Sequence, residues 1–182
     1  MDEDKNSIEQ CTEKILNYCS NPENGLPENV FLMISALMPV PNVDLLILNE
    51  NKELLLSWRN DKFYPKGWSL IGGCIRYGET QQERIHKTAI REIGCDVDIV
   101  SDALATVDSM RGNIQSSLRY ERTRGHHIAI LYECRLNEDI NVSKQKLKPG
   151  ENGYLKWFKK IPKDILELHH VYDAVFEKYN LK

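Results

Sequence analysis

The sequence predicts one α/β domain, a sandwich of helices around a mixed β-sheet, with a short helical extension at its N-terminus. Apolar runs of strand length are interspersed with amphipathic stretches of helical period. They do not follow a regular βαβ order, which argues for a mixed sheet over a parallel one. The 182 residues suffice for a single domain with a real core and are too few for two comfortable ones.

Each element has a local reason. Residues 7–19 place Ile8, Cys11 and Ile15 on one side of a helix, and SNPENG (20–25) breaks it. A second helix starts near Pro27, a residue suited to a first helical turn, and runs through Val30, Phe31, Ile34 and Leu37 to Pro39. VDLLIL (43–48) and ELLLSW (53–58) are strands joined by NENK, which reads as a hairpin turn. WSLIGG (68–73) is a short apolar strand ending in two glycines. A helix follows between Gly78 and Gly94, opened by Thr80 and Glu83 as a capping box. Another strand lies within IGCDVDIV (93–100), and HIAILYECRL (127–136) is apolar enough for the centre of a sheet. The last segment, IPKDILELHHVYDAVFEKYN, reads as an amphipathic helix.

Charge and cysteine usage limit the function classes. Lys+Arg number 24 against 27 Asp+Glu, so no global field draws in nucleic acid or an anionic membrane, and an anionic ligand must be held locally or by a metal. The five cysteines are scattered without a CxxC pair, which argues against a zinc knuckle or a disulfide framework and for a reducing cytoplasm. The polar, acidic start is unlike a secretory signal, and no apolar run reaches the length of a membrane span.

The chemistry concentrates in GGCIRYGETQQERIHKTAIREIGCDV, residues 72–97. This stretch resembles the Nudix box: Gly, five residues, Glu, seven residues, then Arg-Glu-apolar-any-Glu-Glu-any-Gly-apolar. Gly73, Glu79, Glu92, Gly94 and Cys95 fall in register. The box glutamates that would stand at 88, 91 and 92 have i, i+3, i+4 spacing, so they share one helical face and can hold several magnesium ions against a diphosphate. Here those positions are Thr88, Arg91 and Glu92, and one carboxylate survives. Lys87 replaces the box arginine, which removes a bidentate fork.

Within that family the chain looks similar to the GDP-mannose mannosyl hydrolases from Leu26 to the C-terminus, through LPENVFLMISAL, LLLSWRN, GWSLIGGCIRYGET, HIAIL, YLKWF and LHHVYDAVF. The resemblance implies a Nudix-type α/β/α sandwich over residues 26–182, with 1–25 as the extension. It implies hydrolysis of a nucleotide sugar by water attack at C1, with one Mg2+ ion and a homodimeric protein. By that resemblance Gly72 and Glu92 are metal contacts. Arg59 touches the diphosphate or leaving group, and Asp44, fifteen positions earlier, is a supporting polar residue. The base is His127, with adjacent His126 as the alternative or a substrate contact. Arg91 either pairs with Glu92 or binds a phosphate. The arginine-rich stretch 109–126 matches the family poorly and bears on sugar and base recognition.

Plainer readings stand beside these. A helical Glu is commonly a solvated charge, an Asp at a strand start caps a turn, and an Arg after a strand faces water. His169 and His170 read as packing or surface, and Trp58, Trp68 and Trp157 as core or groove packing. Two other functions compete: conventional pyrophosphate cleavage to a nucleoside monophosphate and sugar phosphate, and a catalytically silent nucleotide-binding domain.

Overall fold

The computed structural model describes residues 2–62, 64–110, 126–138, 140, 142 and 145–182. Two N-terminal helices, α1 (Asp2–Tyr18) and α2 (Glu28–Leu37), precede β1 (Val40–Ile47) and β2 (Leu54–Arg59). Then come β3 (Gly67–Ser69), β4 (Ile71–Cys74), α3 (Gln81–Ile93), β5 (Val97–Ile99), β6 (Ala105–Met110), β7 (His126–Leu136) and β8 (Leu155–Phe158). A 3-10 turn (Glu167–Tyr172) leads into α4 (Asp173–Lys178).

The larger sheet is mixed, as the irregular order of elements predicts. It runs β4-β1-β7, with β5 and β6 following one another along the far side of β7. β1 and β7 are parallel, and the other pairings in this sheet are antiparallel. A second, three-stranded sheet has the order β3-β2-β8.

Side chains alternate across a strand, so β1 has two distinct faces. Val43, Leu45 and Ile47 pack with Ile85 and Ala89 of α3. Leu46 packs on the opposite side with Leu131, Tyr172 and Phe176, which brings the C-terminal segment onto that face. Helices thus cover both faces of the sheet.

Several boundaries depart from the sequence expectation. The NENK turn forms, closed by Asn49 N–H to Glu53 and Lys52 N–H to Asn49, but β1 and β2 enter different sheets. Both edges of β1 are taken by β4 and β7, so pairing with β2 shrinks to a single Leu48–Leu54 bridge. WSLIGG divides at Leu70 into β3 and β4, because the chain crosses there between sheets. The C-terminal helix is shorter than its amphipathic pattern suggests, since Ile165 bridges to Trp68 as extended chain. Strands β6 and β8 lacked the long apolar runs that marked the others.

Candidate active site

The box loop is held by an ion pair that the sequence did not announce. Arg84 and Glu79 are both buried; Arg84 Nε donates to Glu79 Oε2 at 2.8 Å, and its Nη2 donates to Oε1 as well. Lys87 Nζ reaches the same carboxylate at 3.1 Å. Burial alone would push the Glu79 carboxyl up, but hydrogen bonds from Arg84, the Arg76 N–H and Lys87 outweigh it and hold it at about 2. The bidentate fork that Lys87 cannot make is therefore supplied by Arg84, just under one helical turn before it. The expected capping box is present. Thr80 accepts from the Glu83 N–H, Glu83 accepts from the Thr80 N–H, and Gly94 closes α3 in the left-handed region.

The two glycines of β4 bring backbone against side chains on opposite faces. A Cβ on Gly72 would lie 2.3 Å from Asp44 Oδ1, and one on Gly73 would lie 2.6 Å from Thr88 Oγ1. Neither position has room for a side chain. Arg91 lies across this backbone: its Nη2 donates to the Gly72 carbonyl at 3.5 Å and its Nε to Glu92 Oε1 at 2.9 Å.

Asp44 is buried beside Gly72 in the β1–β4 register. Its Oδ2 accepts from the Tyr172 hydroxyl at 2.8 Å, and its Oδ1 accepts from Asn42 Nδ2 at 2.8 Å. Burial raises its carboxyl to about 6, against the pull of those two donors and of the Arg59 charge. Arg59 leaves the end of β2, donates to Asp61 Oδ2 at 3.2 Å and lies 5.0 Å from the centre of the Tyr64 ring.

The register also separates the two histidines. His127 shares the face of Ala129 and Leu131, the face that carries Asp44, and is 9% exposed. His126 points to the opposite face, where its Nε2 lies 3.2 Å from Asp108 Oδ1. His127 pairs with Val40 and Leu131 with Asp44, so four residues of strand, roughly 13 Å, separate the His127 and Asp44 levels.

A cavity of about 970 Å³ joins these groups. Its lining includes Asp44, Arg59, Gly72, Arg91, Glu92 and His127. It also includes the apolar Ile15 of α1 and Phe31, Ile34 and Met38 at α2. His126 is not among its lining residues. The arginines at 111, 119, 122 and 124 lie outside the described residues.

His169, which the sequence suggested was packing or surface, is buried in the cavity wall. Its Nε2 accepts from the Leu70 N–H at 3.1 Å and lies 2.9 Å from Ser69 Oγ. Burial first, and then the Arg59 charge, push its imidazolium down to about 3, so it is neutral with the proton on Nδ1. The available signal was the family match at His169 within LHHVYDAVF.

The NUDIX domain family matches residues 38–169, most of the chain. The chain belongs to the Nudix family. A curated relative, the low-salt glycan biosynthesis protein Agl8 of Haloferax volcanii, is 26% identical over 145 residues, 76% of this chain and 87% of Agl8. Among solved structures, the MutT protein from Methanosarcina mazei Go1 matches with a TM-score of 0.55 at 20% identity, covering 79% of this chain and 97% of that one. A Nudix hydrolase from Nitrosomonas europaea matches with a TM-score of 0.53 at 19% identity, covering 77% and 70% respectively. These likenesses show the fold. Family membership makes the protein a hydrolase of a nucleotide-linked substrate.

Nudix hydrolases generally use divalent metal ions. Among the described residues there is no cluster of three His, Cys, Asp or Glu side chains. Glu92 and the Gly72 carbonyl offer two oxygens on one cavity wall. With diphosphate oxygens and water they fit the six-oxygen demand of one magnesium ion, which commonly takes only one or two carboxylates from protein. They do not fit two or three ions.

Proposed function

We propose that this Nudix hydrolase acts on a nucleoside diphosphate sugar of the GDP-mannose type, by water attack at sugar C1. The observation that carries this reading is the thinned carboxylate face. Thr88, Arg91 and Glu92 leave one acid at the three box positions of the helix, while His127 lines the same cavity. Attack at phosphorus uses a metal-activated water next to the anhydride and draws on the full carboxylate cluster. Attack at carbon needs a good leaving group and a base on the far side of the sugar. The name of the Haloferax relative, a glycan biosynthesis protein, is consistent with a sugar-bearing substrate.

In this reading Arg59 and Arg91, both in the cavity lining, hold the diphosphate. Asp44, fixed by Tyr172 and Asn42, keeps the β1–β4 wall in place. His127 takes a proton from water as the water oxygen bonds to C1. The C1–oxygen bond to the diphosphate breaks with its electron pair leaving on the nucleoside diphosphate, through an oxocarbenium-like transition state. Glu92 and Gly72 would hold one Mg2+ ion, whose bound charge would neutralise the leaving diphosphate. His126, the alternative base or substrate contact, lies on the other face of the strand beside Asp108. The same reading takes residues 1–25 as an extension of a domain spanning 26–182, and the protein as a cytoplasmic homodimer.

Incubation with GDP-mannose, GDP-glucose and other nucleotide sugars in 18O-water with Mg2+ tests the reaction. The expected products are nucleoside diphosphate and free sugar, with label in the sugar. Nucleoside monophosphate and sugar phosphate would overturn attack at carbon, and absence of turnover across the set would favour a binding domain.

A further inference from the structure

The box backbone of this chain already has a cation against it. The Arg91 guanidinium bridges the Gly72 carbonyl, at 3.5 Å, and the Glu92 carboxylate, at 2.9 Å. These are the two groups assigned above to a divalent ion. The other acids nearby are already engaged: Asp44, beside Gly72, accepts from the Tyr172 hydroxyl and from Asn42 Nδ2. Glu79 is committed to Arg84 and Lys87, and position 88 carries a hydroxyl that is fully buried without a hydrogen-bond partner. A bare divalent cation approaching Glu92 therefore meets the Arg91 positive charge and a carboxylate whose negative charge is already matched.

A metal bound to a nucleoside diphosphate is different. That complex is net anionic for a free nucleoside diphosphate and neutral for its sugar ester, so the guanidinium does not repel it, and its phosphate oxygens give Arg91 a better partner than the carbonyl it leaves. The Arg91 side chain is about half exposed and Glu92 about one-third, so their pair is of the weak, exchangeable surface kind.

We propose that Arg91 and the divalent cation exchange at one position, so that metal enters this site only together with a diphosphate. In the free protein Arg91 holds Glu92 and Gly72. On binding, the guanidinium moves to the phosphates and leaves both oxygens to the metal. The inference rests on the reading that Glu92 and Gly72 form the metal site, and it adds an order of binding that a carboxylate-rich box would not impose.

Titration of the protein with Mn2+ alone, followed by the loss of the free-ion electron paramagnetic resonance signal, reads the exchange without turnover. Arg91→Ala is expected to bind Mn2+ roughly 10-fold more tightly than the wild type, because one nearby positive charge is gone. Adding Glu92→Gln to that variant should abolish the gain. Metal-free GDP should bind Arg91→Ala more weakly than the wild type. Equal Mn2+ affinity in the wild type and Arg91→Ala would overturn the exchange, as would a gain that survives Glu92→Gln. Circular dichroism establishes that each variant is folded, and Arg91→Lys, which keeps the charge, should stay near the wild type. The reaction itself is decided separately by product analysis, so failure of the exchange leaves the site of bond cleavage open.

Discussion

Asp44 shows how one residue can link stability to the site. Its carboxyl, raised from 3.8 to about 6, holds its proton more tightly in the folded protein than in the unfolded chain. The stability it contributes is thus complete below its unfolded value and is lost as pH rises through about 6. Asp44→Asn removes that loss. Its stability relative to the wild type should rise between pH 4 and pH 6 by up to about 3 kcal/mol, at about 1.4 kcal/mol per pH unit. Urea melts across that range measure it; a difference independent of pH would show that the carboxyl is not raised. For Glu92→Gln, turnover should fall about 100-fold or more with the fold intact, because several kcal/mol of charge stabilisation leave with the carboxylate. Full Mg2+-dependent activity in that variant would remove Glu92 from the metal site. His127→Ala should lower kcat by roughly 10²–10⁴-fold. An unchanged rate would take His127 out of the reaction and move attention to His126.

At the scale of elements, α3 and the loop before it act as one unit. Thr80 caps the helix, Gly94 ends it, and the buried Arg84–Glu79 pair ties its first turns to the box loop. Removing one member of a buried pair leaves the other charge without a partner. Arg84→Met should therefore destabilise the protein by about 3–5 kcal/mol, readable as a lowered melting temperature. A shift of only a degree or two would mean that Lys87 alone satisfies Glu79. The capping box and helix limits were legible in the sequence because they are local, fixed by residues three or four apart. Arg84 was not legible, since a helical arginine ordinarily faces water and only the fold of the loop brings Glu79 under it.

The whole molecule places the site where two sheets, α3 and the C-terminal turn meet, below the N-terminal helices. α1 buries little: Leu16 and Tyr18 are exposed, as are Leu37 and Met38 at the end of α2. Their apolar surface suits the proposed homodimer. Light scattering at micromolar concentration should then report about twice the 21.1 kDa of one chain. A monomer mass under those conditions would set the dimer aside. Among the described residues no helix is long and apolar enough to cross a membrane.

The Nudix frame was written in local order. Glycine and glutamate spacing, a capping box and strand-length apolar runs need only short-range chemistry, so the family and the mixed α/β sandwich could be read along the chain. Tertiary structure decided the rest, because sheet register and strand crossing depend on partners far apart in sequence. Register put His127 on the face of Asp44 and turned His126 away. The passage of the chain from one sheet to the other split WSLIGG and separated β1 from β2. Long-range packing carried His169 onto the cavity wall, where burial makes it a neutral imidazole, and set the Tyr172 hydroxyl against Asp44 as a donor. The sequence alone showed which carboxylates are missing from the box; the folded chain showed that Arg91 lies across the oxygens that remain.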